Sequence, residues 1–286
     1  TDSQIKWFNK VADFILSNLP NTAFLLKGYA GTGKTTLIGY LISQLKYAGY
    51  KAVLMAPTGR AAKVMATYSK FHAYTIHKQI YYPKTESSGK IVFQLKPNKY
   101  RKTIFIIDEA SMISDDRKYT KLFENGSLLH DLIQYVSQGD QCKLIFVGDP
   151  AQLPPVHLDM SPALDLNELE HFHFDKIYSV ELDSVVRQSL GSGILNNATQ
   201  LRSQLNEEVY DQFQFDVDGV TDIHYSNSGM DLFDSLSNAF DEGGIDQTVF
   251  IVRSNKRANL FNEHIRKRIL GWEDELCVGD QLMVVK

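Results

Sequence analysis

Residues 28–35 read Gly-Tyr-Ala-Gly-Thr-Gly-Lys-Thr, a complete G-x-x-x-x-G-K-[ST] pattern, and no other stretch restricts the fold as strongly. Glycines let the backbone turn tightly enough for successive N–H groups to aim at one phosphate. The turn needs a strand before it and a helix after it, because the helix adds the positive end of its dipole. The flanks comply, with the apolar run AFLL at 23–26 and the helical pattern TTLIGYLISQL from Thr35. The pattern implies a bound nucleoside triphosphate. Its expected contacts are Gly28, Ala30, Gly31, Thr32, Gly33, Lys34, Thr35 and Thr36, with Lys34 reaching the β- and γ-phosphates and the Thr35 hydroxyl on Mg²⁺.

Further apolar runs follow at 52–55 (AVLM), 103–107 (TIFII), 143–147 (KLIFV) and 248–252 (TVFIV), separated by helical stretches. They read as parallel strands of an open α/β sheet, whose ligands sit at the carboxyl ends of the strands. Those ends carry APTGRAA, DEAS and GDPAQLPPV. Before the first strand, Ile5, Phe8, Val11, Ala12, Ile15, Leu16 and Leu19 recur at helical spacing. They predict an amphipathic helix capped by Asp2 or Ser3 and closed by Pro20-Asn21.

Asp108 and Glu109 stand just past the buried run TIFII. Beyond a strand end both carboxylates can converge on one site, Asp108 coordinating Mg²⁺ directly or through water and Glu109 activating the attacking water. A glutamate after the aspartate favours hydrolysis over transfer to a small acceptor. Between the second and third of these runs, residues 78–102 read as two short strands around a Ser-Ser-Gly turn, an inserted hairpin. Beyond Lys78 it holds six basic residues, Lys84, Lys90, Lys96, Lys99, Arg101 and Lys102, against the single acid Glu86. Residues 203–252 are the reverse, with eleven acids and no Lys or Arg, so a polyphosphate chain should not cross them.

Composition removes the other broad classes. With 43% hydrophobic residues, 22% charged residues and a formal charge of −4, the chain is too apolar for disorder and too acidic for indiscriminate polyanion binding. No apolar run approaches the roughly 18 residues of a membrane span, and TDSQIKWF is no secretion signal, so no membrane partner is expected. Two cysteines, Cys142 and Cys277, are too few for a disulfide framework or a zinc site, which suits a reducing, cytoplasmic setting.

Taken together in order, these motifs resemble those of the superfamily 1 helicases of the RecD and Dda branch, the type of the exodeoxyribonuclease V alpha subunit. That resemblance implies a RecA-like P-loop domain with an inserted β-hairpin pin, ATP and Mg²⁺ as cofactors, and DNA unwinding coupled to hydrolysis. It implies that Gln4 reads adenine, that Gln152 senses the γ-phosphate and that Arg187, in SVVRQS, supplies an arginine to it. It further implies that Pro57, Thr58, Thr75 and His77, in APTGRAA and YTIH, face single-stranded DNA. Phe93 either stacks on a base as part of the pin or packs inward as a strand residue. Partners would be single strands and duplex junctions, in replication, repair, recombination or conjugation alike, with movement 5′ to 3′. A nucleotide-gated binding module with little ATPase is the alternative reading, and a small-acceptor kinase the weakest.

The resemblance also sets expectations for organisation. Residues 1–185 are expected to form the first RecA-like domain and 186–286 the start of a second that the chain does not finish. The segment 250–269 would open that second domain, with Ala258, Phe261, Ile265 and Ile269 on its core face and Arg257 either at the ATP cleft or on the surface. The family's later T-x-H-K-x-Q-G and arginine-bearing motifs are not found before Lys286, GDQLMVVK reads as a strand, and Thr1 stands where a start methionine would, so the chain reads as a piece. Gly59 replaces a bulkier residue that some members place against DNA.

Overall fold

A computed structural model describes residues 1–85, 91–115, 127–183, 192–207, 214–226 and 228–280. The chain begins with α1 (Asp2–Leu16), β1 (Thr22–Gly28), α2 (Lys34–Leu45), β2 (Lys51–Ala56), α3 (Gly59–Ser69), β3 (Ala73–Thr75) and α4 (Ile76–Ile80). The hairpin strands β4 (Tyr81–Thr85) and β5 (Ile91–Leu95) follow, then β6 (Thr103–Ile107), α5 (Leu128–Ser137), β7 (Lys143–Gly148), α6 (Leu166–Glu170) and β8 (Lys176–Leu182). Among the described residues α7 (Gly193–Asn206), α8 (Gly229–Gln247) and α9 (Asn255–His264) follow, and a π-helical turn at Ile265–Ile269 continues α9.

Six strands form one parallel sheet in the order β3-β2-β6-β7-β1-β8. Its inner strands are buried on both faces, which is why they read as continuous apolar runs. Successive residues serve opposite faces. Leu25, Phe105, Ile107, Leu144 and Phe146 pack under α5 with Leu129, Leu132 and Val136. Phe24, Leu26, Ile104, Ile106, Ile145 and Val147 pack against α1 and α2 on the other side. The edge strand β8 alternates polar and apolar residues, and its sequence carries no comparable run.

The first helix forms, but its buried face differs from the expected stripe. Trp7, Val11 and Phe14 are buried, whereas Ile5 and Leu16 are 60% and 76% exposed. The aromatic side chains decide the rotation, because Phe14 meets Phe24 and Tyr178 edge-on with centroids 5.5 and 5.7 Å away. Thr1, rather than Asp2 or Ser3, is the N-cap, forming a capping box with Gln4. The helix ends at Leu16, before Pro20, where buried Lys143 donates from Nζ to the carbonyls of Phe14, Ile15 and Ser17.

The inserted hairpin also forms, pairing Tyr81 with Leu95 and Pro83 with Phe93 in antiparallel register, while its Ser-Ser-Gly turn lies outside the described residues. Its root is fixed to α5: the Tyr81 hydroxyl donates to Asp131 at 2.6 Å, and Asn98 donates to the Tyr135 carbonyl at 2.9 Å.

Two compact units divide the chain, one of Thr1–Leu190 with Ala198–Phe213, the other of Gly191–Asn197 with Gln214–Lys286. In the second unit residues 248–252 do not form the expected strand. Val249 and Ile251 are 72% and 86% exposed there, and no strand among the described residues of that unit offers them a ladder. Of the face expected on 258–269, Ile265 is buried and the Phe261 ring packs tilted against Phe250, centroids 4.4 Å apart. The expected strand at 279–286 falls largely outside the described residues.

Candidate active site

The ends of β1, β6 and β7, neighbours in the sheet, meet around one cavity of about 960 Å³ on the first unit. β1 delivers the phosphate-binding loop. Gly31 and Gly33 adopt φ of 82° and 91°, a region that disfavours any side chain, and Gly33 caps α2. Gly28 is required for space, since a side-chain carbon there would lie 2.8 Å from the Thr32 hydroxyl and 2.9 Å from Leu182. Buried Thr32 ties the loop by donating its hydroxyl to the Tyr29 carbonyl at 2.8 Å. Lys34 folds back onto the loop and donates to the carbonyls of Gly28 and Tyr29 at 2.5 and 2.9 Å. These are contacts a phosphate oxygen can replace. Ala30, Thr35 and Thr36 also line the cavity. Gln4 reaches the loop from α1, donating to the Thr32 carbonyl at 3.4 Å.

β6 delivers the acids. The Asp108 N–H extends the sheet by donating to the Met55 carbonyl at 3.0 Å, after which the backbone turns left-handed at Glu109, φ 54°. That turn brings both carboxyl groups to the cavity wall. One Asp108 oxygen accepts from the Glu109 N–H at 3.0 Å and the other from the Tyr68 hydroxyl. Burial raises the Glu109 carboxyl above the usual range, Asp108 and Asp149 add to this, and Lys34 opposes it. Burial also lowers the Lys34 ammonium, while Asp149, Asp108 and Glu109 hold it up.

β7 contributes Gly148 and buried Asp149, which orders the following turn by accepting from the Ala151 N–H at 2.9 Å. Gln152 lines the cavity and accepts from the Ser111 hydroxyl at 3.4 Å, which connects it to the short helix just past Glu109. Arg187 lies outside the described residues.

Thr58 follows β2 and N-caps α3, and Thr75 ends β3 and N-caps α4. Their strand ends are paired, Ala56 opposite Thr75. Each threonine oxygen accepts a backbone N–H at 3.2 Å, which leaves the hydroxyl proton to donate outward. Pro57 is half-buried, and so is His77, which burial holds below the ordinary histidine range. His77 lies 5.9 Å from the Tyr81 ring. Phe93 packs partly buried against the core beneath α5, its ring 6.3 Å from Tyr81.

Three residues of this neighbourhood received no role from the motifs. Tyr68 bonds Asp108, Arg60 lines the cavity, and Arg202 stacks its guanidinium 5.1 Å from the Tyr29 ring and depresses Lys34. Arg60 and Tyr68 sit on the helix after APT, where Arg60, Ala61, Val64 and Tyr68 give a cavity-facing side at helical spacing that could have been read from the sequence. No local pattern points to Arg202.

Mg²⁺ keeps several waters and takes one or two carboxylates plus phosphate oxygens. Among the described residues no group of three or more His, Cys, Asp and Glu forms an all-protein metal site, whereas Thr35 and Asp108 share one cavity wall. That donor set fits a Mg²⁺ completed by phosphates and water.

The chain is 27% identical over 289 residues to the ATP-dependent DNA helicase dda of Enterobacteria phage T4, covering 99% of this chain and 60% of that protein. It is 29% identical over 174 residues to the ATP-dependent RecD2 DNA helicase of Deinococcus radiodurans, covering 61% and 21%. It thus spans less than two thirds of either relative. A Bacteroides Pif1 crystal structure in complex with ADP-AlF4 aligns at 23% identity and a TM-score of 0.43, over 74% of this chain and 47% of that one. The family model described as the AAA domain matches residues 15–215, from the end of α1 through the phosphate-binding loop and the acidic pair to α7. The chain therefore belongs to the AAA domain family, and it is similar to the Dda and RecD2 helicases of the superfamily 1 type.

Proposed function

We propose that this chain is the ATP-hydrolysing part of a DNA helicase that couples Mg-ATP hydrolysis to movement on single-stranded DNA, 5′ to 3′. The observation that carries the reading is a shared cavity wall: Thr58, a candidate strand contact, lines the same cavity as Lys34, Asp108 and Glu109. Lys34 exchanges loop carbonyls for phosphate oxygens, and the backbone N–H groups of 31–35 surround the phosphate chain. Thr35 and Asp108 would hold Mg²⁺, which neutralises charge developing on the transferred phosphoryl oxygens. Glu109, with its raised affinity for a proton, takes one from water. Gln152, joined through Ser111 to the short helix after Glu109, would register the γ-phosphate, and by family likeness Arg187 would supply an arginine to it. The 1–185 and 186–286 division belongs to the same proposal, with the hairpin as the element that meets the duplex junction.

Steady-state ATPase at low salt, with and without oligothymidine, tests this reading. Stimulation by the oligonucleotide, lost in Lys34→Ala, is the expected result. Nucleotide-dependent DNA binding without turnover would establish the gated-module alternative. Displacement assays on 5′- and 3′-tailed duplexes test the polarity.

A further inference from the structure

We infer that Tyr68 is a positioning residue that links the strand-facing end of α3 to the metal-side carboxylate, so that DNA contact at Thr58 sets the orientation of Asp108. The inference rests on the proposed roles of Thr58 and Asp108 and goes beyond them. Asp108 is oriented by two donors of different origin. Its Oδ1 accepts from the next residue's backbone N–H, a local contact that travels with β6. Its Oδ2 accepts from the Tyr68 hydroxyl, forty residues earlier and on a different element.

That element is α3, which is held to the sheet by buried Ala62 and Met65 and begins at Thr58. Thr58 itself accepts from Ala61 N–H, so the candidate DNA contact and the first turn of α3 are one bonded unit. Ala61, Val64 and Tyr68, spaced three and four apart, form the face that α3 turns to the nucleotide cavity. A helix moves as a rigid body, so a strand that pulls on Thr58 repositions the Tyr68 ring as well. Long side chains on a helix lean toward its N-terminus, and the Tyr68 hydroxyl reaches the carboxylate just past the end of β6. Carboxylates that ligate metals are tuned by the hydrogen bonds they accept, and loss of one such bond lowers metal affinity by about tenfold or more.

The test titrates Mg²⁺ into the chain in the presence of a fluorescent, non-hydrolysable ATP analogue, with and without oligothymidine, and reads nucleotide binding rather than turnover. In the wild-type chain the oligonucleotide lowers the Mg²⁺ concentration at half-saturation. Tyr68→Phe keeps the ring and removes only the hydroxyl. It raises the Mg²⁺ midpoint without DNA about tenfold and abolishes the oligonucleotide's effect, while affinity for the analogue in EDTA stays at the wild-type value. Thr58→Val, which removes the hydroxyl at the strand-facing end of α3, loses the oligonucleotide's effect. A Tyr68→Phe chain with the wild-type midpoint overturns the link alone, as does a shifted midpoint that still responds to DNA. A wild-type chain that binds no analogue overturns the reading of the site and the link with it.

Discussion

The chemistry proposed for Lys34, Asp108 and Glu109 depends on what surrounds each of them. Glu109 sits at a left-handed backbone position, partly buried beside a second carboxylate, and both conditions raise its affinity for a proton. Glu109→Gln is expected to leave nucleotide binding intact and to lower kcat by about 10²–10⁴-fold, the usual contribution of a general base. Single-turnover hydrolysis alongside equilibrium binding checks this. Lys143 gives a stability prediction with a defined sign. Burial pulls its ammonium down to about 8, from 10.5 in the unfolded chain. Between those values the unfolded state holds the proton and the folded state does not, so stability rises with pH across that window. Relative to Lys143→Met, which cannot titrate, the wild-type chain should gain roughly 2–3 kcal/mol between pH 7.5 and 10, read by urea unfolding at both values. Tyr68 and Arg202 show the limit of residue-level reading. Each gains its relevance from a partner 40 or more residues away, Asp108 or Tyr29.

At the scale of elements, apolar runs were legible wherever a strand is buried on both faces, as in β1, β2, β6 and β7. They misled at 248–252, because a β-propensity run becomes a strand only when a neighbour supplies its hydrogen bonds. For α1 the period was legible and its phase was not. Trp7 and Phe14 outweigh Ile5 and Leu16 because the aromatic pocket formed by Phe24 and Tyr178 lies to their side. The hairpin's position in the fold depends on the buried Tyr81–Asp131 bond at its root. Tyr81→Phe leaves a buried carboxylate short of a donor and should cost about 1–3 kcal/mol, with faster hydrogen exchange in 81–95 than in β6. Equal exchange in both would refute a local anchoring role.

At the scale of the molecule, both hydrophobic clusters among the described residues lie between Trp7 and Leu182, and the candidate cavity is lined from Tyr29 to Gln152. A fragment of residues 1–213, the end of the first unit, should therefore fold cooperatively and bind Mg-nucleotide within about threefold of the full chain, a difference of under 1 kcal/mol. Calorimetric titration of both forms checks this, and a fragment that fails to fold would show that the second unit stabilises the first. The amino-acid sequence alone determined the phosphate-binding loop, the acidic pair and the parallel-sheet class. Each rests on a local rule: glycine's access to positive φ, a helix dipole behind a Gly-rich turn, an unbroken apolar run before an acid. Only the tertiary structure decided which face of α1 is buried, that Phe93 packs under α5, that Tyr68 bonds Asp108, and that Arg202 stands at the phosphate-binding site. Those outcomes depend on contacts between residues far apart in the chain, where packing and hydrogen-bond satisfaction outweigh any local pattern.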